Sequence, residues 1–465
     1  MTLLDIIALL IGLSALGGYL NHKLLGLPHT IGLLVIALLA SAGVMAIDQL
    51  NPSLQIAQEV GGAIKAIDFN KALMEGMLSA LLFAGATHVD LTELSERKWA
   101  IGLMATIGVV SSTFMIGGTM WALGQGLGFD LPFMWALVFG ALISPTDPVA
   151  VLGILKTVKI PRLLQAKIAG ESLLNDGVGV VVFSILVAIA TGSAAHGGDL
   201  TAIGIGKLFV VEAFGGALLG LIGGLLAYYM MRSLEERYIE VMITIALVTG
   251  VYAIALKLHV SGPIAVVVAG LLIGNQGARF AMGEDTRQHV FQFWELTDEI
   301  LNSVLFLLIG LEVLVIAFSP NHASLALLAI PVVLIARLIA VAIPIGLLSL
   351  RTEFTSGAIR ILTWAGLRGG ISVALALSLP PSEYKPIILT MTYAVVVFSI
   401  LVQGMTVERL VRSVANEAKD DPNHPMAATA EEITAASEAT AITGEGGNLT
   451  DPGGKRARRR KRGKS

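Results

Sequence analysis

Cysteine does not occur in the 465 residues, which excludes disulfides and thiolate metal ligands. Charge is scarce as well: Lys, Arg, Asp and Glu make up 14% of the chain against 55% hydrophobic residues, a balance foreign to soluble proteins of this length. No HExxH pair and no paired nucleophile and base occur, so nothing argues for an enzyme, and no motif calls for a cofactor. A repeated carbonyl filter and a ring of charge, the marks of a channel, are also missing. The net charge of −3 says little for so apolar a chain, and nothing in the sequence argues for nucleic acid as a partner.

What the chain does have is apolar runs of roughly 20 residues, the length of a helix that crosses a bilayer, rather than the roughly ten-residue period of barrel strands. The expectation is an all-α polytopic membrane protein of about 13 spans. They fall near 2–20, 28–48, 72–89, 99–123, 132–156, 163–191, 203–231, 238–258, 260–276, 289–318, 324–349, 358–380 and 385–411. The first run carries Asp5, lacks a basic lead-in, and reads as a span rather than a cleaved signal. Lys23, Arg97, Lys98, Lys156, Lys159, Arg162, Lys167, Arg232, Arg237, Arg279, Arg287, Arg351 and Arg360 fall in one alternate set of loops, and only Lys65, Lys71, Lys207, Lys257 and Lys385 in the other. Thirteen against five, by the positive-inside rule, puts the N-terminus outside and the C-terminus in the cytoplasm. Residues 1–412 form the expected transmembrane domain. Residues 413–465, rich in Ala, Thr, Glu and Gly, form an expected disordered cytoplasmic tail that ends in the basic run Lys455–Arg462.

Two spans are interrupted. The fifth contains Ser144-Pro145-Thr146-Asp147-Pro148, and the twelfth carries Gly366, Gly369 and Gly370 around Arg368. They hold corresponding places in two six-helix halves of opposite topology, so inverted repeats with broken helices crossing near the midplane are expected, a sequence mark of transporters. Pro145 and Pro148 free the carbonyls of Ala141 and Ser144, which is tolerated at membrane depth only inside protein or along a watery cavity. Thr146 adds a hydroxyl, and Asp147 suits the positive end of the half-helix after it.

The sixth span contains GESLLNDGVG, residues 170–179. Ionisable groups at this depth are costly and read as functional. Ser172 and Asp176 share a helical face with Asn175 beside them, an oxygen-rich set suited to a proton or a small hard cation. Thr146, Asp147, Ser172, Asn175 and Asp176 are therefore the candidate cation ligands. Arg337 and Arg368 each need a buried acid. Glu171 is the acid that the cation face leaves unused, so a Glu171–Arg337 bridge comes first, while Arg368 suits the broken ends of its own helix. Glu75 and Glu312 are further acids in or near spans.

These stretches bear a resemblance. LPHTIGLLVIALLAS (27–41), LLFAGATHVDL (81–91), ALISPTDPVAV (141–151), GESLLNDGVGVVVF (170–183), FWELTDEILNSVLFLLIGLE (293–312) and WAGLRGGISVALALSLP (364–380), in this order, resemble the NhaP/NHE-type monovalent cation:proton antiporters. The resemblance spans about residues 5–412. It implies a homodimer of thirteen-helix chains with a moving six-helix core. It also implies Asp176 as ion and proton carrier, Thr146 and Ser172 as sodium ligands, Asn175 as their neighbour, and pairing of Glu171 with Arg337. Ala84 stands where many relatives carry an acid. The regulatory domain of animal relatives is absent, which points to a bacterial inner-membrane protein. The expected activity is electroneutral exchange of one Na⁺ or Li⁺ for one H⁺ by competition at Asp176. A potassium:proton antiporter of the same fold is the alternative and a cation channel a distant one.

Overall fold

The computed structural model describes residues 3–51, 53, 55–65, 71–92, 102–147, 162–192, 202–314, 322–349 and 357–419. Helix is the rule among them, as an apolar solvent demands: with no water to bond, each backbone N–H and C=O must be satisfied within its own segment. In chain order the helices are α1 (Leu3–Leu20), α2 (His29–Leu50), α3 (Ile56–Lys65), α4 (Leu78–Thr87), α5 (Val109–Gly126), α6 (Phe133–Ile143), α7 (Arg162–Ala190) and α8 (Ala202–Arg232). They continue as α9 (Arg237–Leu258), α10 (Gly262–Leu272), α11 (Glu284–Glu312), α12 (Ala323–Ser349), α13 (Ala358–Trp364), α14 (Gly370–Ser378), α15 (Lys385–Phe398) and α16 (Gly404–Lys419). Wider π turns precede α4 and α5 at Ala72–Met77 and Met104–Gly108, and another, Ser399–Gln403, joins α15 to α16.

Among the described residues nine helical stretches are long and apolar enough to cross a membrane. Two shorter apolar helices, Ala72–Thr87 and Phe133–Ile143, accompany them. The expected tenth span is the 29-residue α11, whose N-terminal half carries Glu284, Asp285, Glu295, Asp298 and Glu299. The twelfth is the broken pair α13 and α14. The short amphipathic α3 lies between expected spans and was not anticipated, because ten residues cannot cross a bilayer. The last helix also differs from expectation: it continues to Lys419, past residue 412, with Val414 buried at 2% exposure against the core. The basic run Lys455–Arg462 and the rest of the expected tail from residue 420 lie outside the described residues, as does Pro148.

Two buried apolar clusters form. One gathers α4, α8, α9, α10 and the start of α11 around Phe83, Val266 and Trp294. The other, around Phe139, Phe306 and Ile388, unites α6 and α12–α16 with parts of α1, α2 and α11. Helix α7 gives Leu173 to the first and Ile168 and Phe183 to the second, so its polar stretch lies where the two meet.

Candidate functional site: two broken helices and the polar face of α7

Helix α6 stops because Pro145 has no N–H to offer the carbonyl of Ala141, which accepts the Ser144 N–H at 3.3 Å instead. The Ser144 hydroxyl turns back to the Gly140 carbonyl at 2.6 Å. Gly179 of α7 permits the approach of this break, since a Cβ there would overlap the Pro145 ring. On the other side, α13 ends at Trp364 and α14 begins at Gly370, with the non-helical stretch 365–369 between them, which turns at Ala365 and is extended at Gly369. The two interruptions cross: the Asp147 N–H donates to the Leu367 carbonyl at 2.8 Å, an isolated antiparallel β-bridge in a helical protein.

Each break serves the other, which corrects one expectation. Arg368 does not cap its own helix: its Nη1 donates to the carbonyls of Ser144 at 2.5 Å and Pro145 at 2.8 Å, those left over at the C-terminal end of α6. A guanidinium is suited to this, because a helix C-terminus carries partial negative charge. Asp147 places its carboxylate against Gly369 at the N-terminus of α14; the half-helix it was expected to serve lies outside the described residues. A Cβ at 369 would collide with that carboxylate, so glycine is required there. Gly370 instead accommodates the side chain of Leu305 from α11.

The polar face of α7 closes over the first break. The Ser172 hydroxyl donates to the Thr146 carbonyl. The Asn175 side-chain amide donates to the Thr146 hydroxyl at 2.8 Å, and its oxygen accepts the Thr146 N–H at 3.3 Å. Thr146 is thus held by three hydrogen bonds, and its oxygens are engaged with Ser172 and Asn175 rather than standing open as a cage. Asp176 is buried at 6% exposure, with Asp147 and Arg368 as charged neighbours. Glu171 leaves this face and pairs with Arg337 of α12. Arg337 also donates to the Leu362 carbonyl of α13 at 3.2 Å. A small cavity of about 10 Å³ lies beside the crossing, lined by Thr146, Asp147, Glu171, Ser172, Arg337 and Gly366 among others.

Three carboxylates, Asp147, Glu171 and Asp176, therefore gather with two guanidiniums, Arg337 and Arg368. Fully ionised, the group carries one negative charge in excess. It is a set that one monovalent cation or one proton brings to neutrality. The desolvation that penalises a lone buried charge supplies the drive to bind one. The sequence expectations did not include Leu367, whose backbone carries the bridge, or Ser399, which accepts the Arg368 N–H at 2.9 Å. Ser399 and Gln403 are polar residues four apart inside an apolar run, the same signal that marks Ser172 and Asp176. Glu312 is buried at the end of α11, and Glu75 falls in the π turn before α4.

An apolar helical chain crossed by two broken helices around buried charge has the architecture of a multi-pass membrane transporter. The profile of the family described as sodium/hydrogen exchanger, transmembrane, matches residues 11–413, and the chain belongs to that family. It is 48% identical over 417 residues to the Na(+)/H(+) antiporter NhaP of Pseudomonas aeruginosa, covering 89% of this chain and 97% of that protein. It is 37% identical to the Na(+)/H(+) antiporter NhaH of Halobacillus dabanensis, over 69% of this chain and 77% of that one. The fold is shared with the sodium proton antiporter MjNhaP1 of Methanocaldococcus jannaschii, at a TM-score of 0.65 and 17% identity, over 88% of this chain and 98% of that structure.

Proposed function

We propose that this chain exchanges sodium, and lithium as its smaller analogue, for protons, one for one and without net charge movement, by competition at Asp176. The observation that carries this reading is the excess of one carboxylate over the two guanidiniums at the crossing. One monovalent ion or one proton neutralises the site, whereas an acid at position 175 would ask for two. Asn175 in place of an acid keeps that count and holds Thr146. Either loaded form crosses between the two faces; the bare carboxylate does not, because its charge would remain uncompensated in an apolar medium. Thr146, Ser172 and Asn175 shape the cargo side. Asp147 and Arg368 fix the local field, and Pro145, Pro148, Gly369 and Gly370 keep the two helices broken. Glu171 and Arg337 brace α7 against α12. The relatives named as Na(+)/H(+) antiporters support sodium as the cation.

In the accompanying topology, the nine long apolar helices, the two shorter ones, α11 and the broken α13–α14 pair make thirteen spans in two inverted halves. The chain works as a homodimer in a bacterial inner membrane, with its N-terminus outside and its C-terminus in the cytoplasm. Purified protein in vesicles with a trapped pH dye tests the reading. Sodium and lithium should each collapse an imposed proton gradient and Asp176→Asn should abolish the response. A response to potassium alone would reassign the cation, and an active Asp176→Asn would remove Asp176 from the mechanism. An imposed 100 mV, equivalent to about 2.3 kcal/mol per net charge moved, should leave the rate unchanged.

A further inference from the structure

Two buried polar side chains near the end of the membrane domain touch neither α7 nor the carboxylates, yet both engage the second break. Ser399 and Gln403 are the first and last residues of the π turn between α15 and α16. Turns of this kind are uncommon and collect at functional sites. Here the turn lets the Ser399 hydroxyl donate to the Gln403 side-chain oxygen at 2.8 Å. The same hydroxyl oxygen accepts the backbone N–H of Arg368 at 2.9 Å, and Gln403 Nε2 donates to the carbonyl of Trp364 at 3.1 Å. Trp364 is the last residue of α13, and Arg368 stands two residues before α14. One relay of hydrogen bonds therefore spans the interruption: Arg368 N–H to Ser399, Ser399 O–H to Gln403, and Gln403 N–H to Trp364.

The far end of Arg368 holds the Ser144 and Pro145 carbonyls, and its charge faces Asp176. Its near end has the Ser399 contact on one side and the Leu367 bridge to Asp147 on the other. Beside it lies a small cavity of about 10 Å³, bounded by Arg337, Arg368, Gln403, Val395 and Phe398. We propose that Ser399 and Gln403 are positioning residues of the exchange site. By fixing Arg368 they set the distance between its positive charge and Asp176, and with it the balance between cation and proton at the carrier. This assignment rests on the exchange reading above.

The test uses full-length protein in the same vesicles, with Ser399→Ala, Gln403→Leu and the double variant. Two quantities are read: the apparent KM for sodium, and the pH of half-maximal rate. Each single change leaves a buried backbone group unpaired and should alter the apparent KM about tenfold, with a matching displacement of the pH profile. The double variant should resemble either single one, because one cut already opens the relay. Ser399→Thr, which keeps the hydroxyl, should restore both quantities. If Ser399→Ala does not fold, Ser399→Cys replaces it, sulfur being a weak acceptor of similar shape. An unchanged KM and pH profile, even with lower yield or melting temperature, would overturn the assignment, as would a Ser399→Thr variant that behaves like alanine. Wild-type vesicles that ignore sodium would overturn the exchange reading and this assignment with it; active wild type with unaltered variants overturns this assignment alone.

Discussion

The two interrupted helices reach the same geometry by opposite chemistry. The first is stopped by proline, which withholds a donor, and what it brings to the crossing is carbonyl oxygen and a carboxylate. The second is opened around glycine, and it brings a guanidinium and a glycine surface on which a carboxylate rests. Neither is electrostatically complete alone. The arginine of the second neutralises the end of α6 and the aspartate of the first lies at the start of α14, so the local folding of each segment depends on the other. In such an arrangement a lesion on one side should be felt on both.

Arg368→Ala tests that dependence with the largest expected effect. It leaves the Ser144 and Pro145 carbonyls without their donor and takes the positive neighbour from Asp176, at a cost of roughly 3–5 kcal/mol, read as a fall in melting temperature of the purified protein. A variant as stable as the wild type would mean that α6 needs nothing from the second break. Next comes the Glu171–Arg337 bridge, which ties α7 to α12 and reaches only the second break through Leu362. Glu171→Ala and Arg337→Ala should each destabilise by about 2–4 kcal/mol, and the double variant by clearly less than their sum. Strict additivity would show that the two side chains do not act as a pair. The smallest effect belongs to Pro145→Ala, within about 1 kcal/mol, because the Ala141 carbonyl already has the Ser144 N–H and Arg368 still holds the turn. A larger loss would show that the Ser144 and Arg368 hydrogen bonds do not hold the break once the proline that stops α6 is gone.

Much of this was legible in the chain. Apolar period located the helices, Pro145 and the glycines near Arg368 located both interruptions, and the acids and amide of GESLLNDGVG marked α7. What the sequence withheld was service across the crossing. Arg368 read as the natural partner of its own helix, since dipole arguments are local and the contacts that override them span more than two hundred residues. The openness of the cation face was misjudged for a similar reason: oxygen atoms can be counted along a helix, but Ser172 and Asn175 turn out to bond Thr146 from a different one. Helix α3 escaped because only spanning lengths were sought. Ser399 and Gln403 escaped although they stand four apart in an apolar run as Ser172 and Asp176 do, because the search followed ionisable residues and neither of them is one.

The rung between Asp147 and Leu367 is made of main chain alone. Replacing either side chain leaves the amide and the carbonyl where they were, so a conventional mutational scan would register this junction as silent. Only proline at position 147, or an ester in place of that amide, deletes the hydrogen. The pivot on which both half-helices are registered is thus insulated from nearly all single substitutions, and sequence drift at these two positions can alter the chemistry around it without moving the axle.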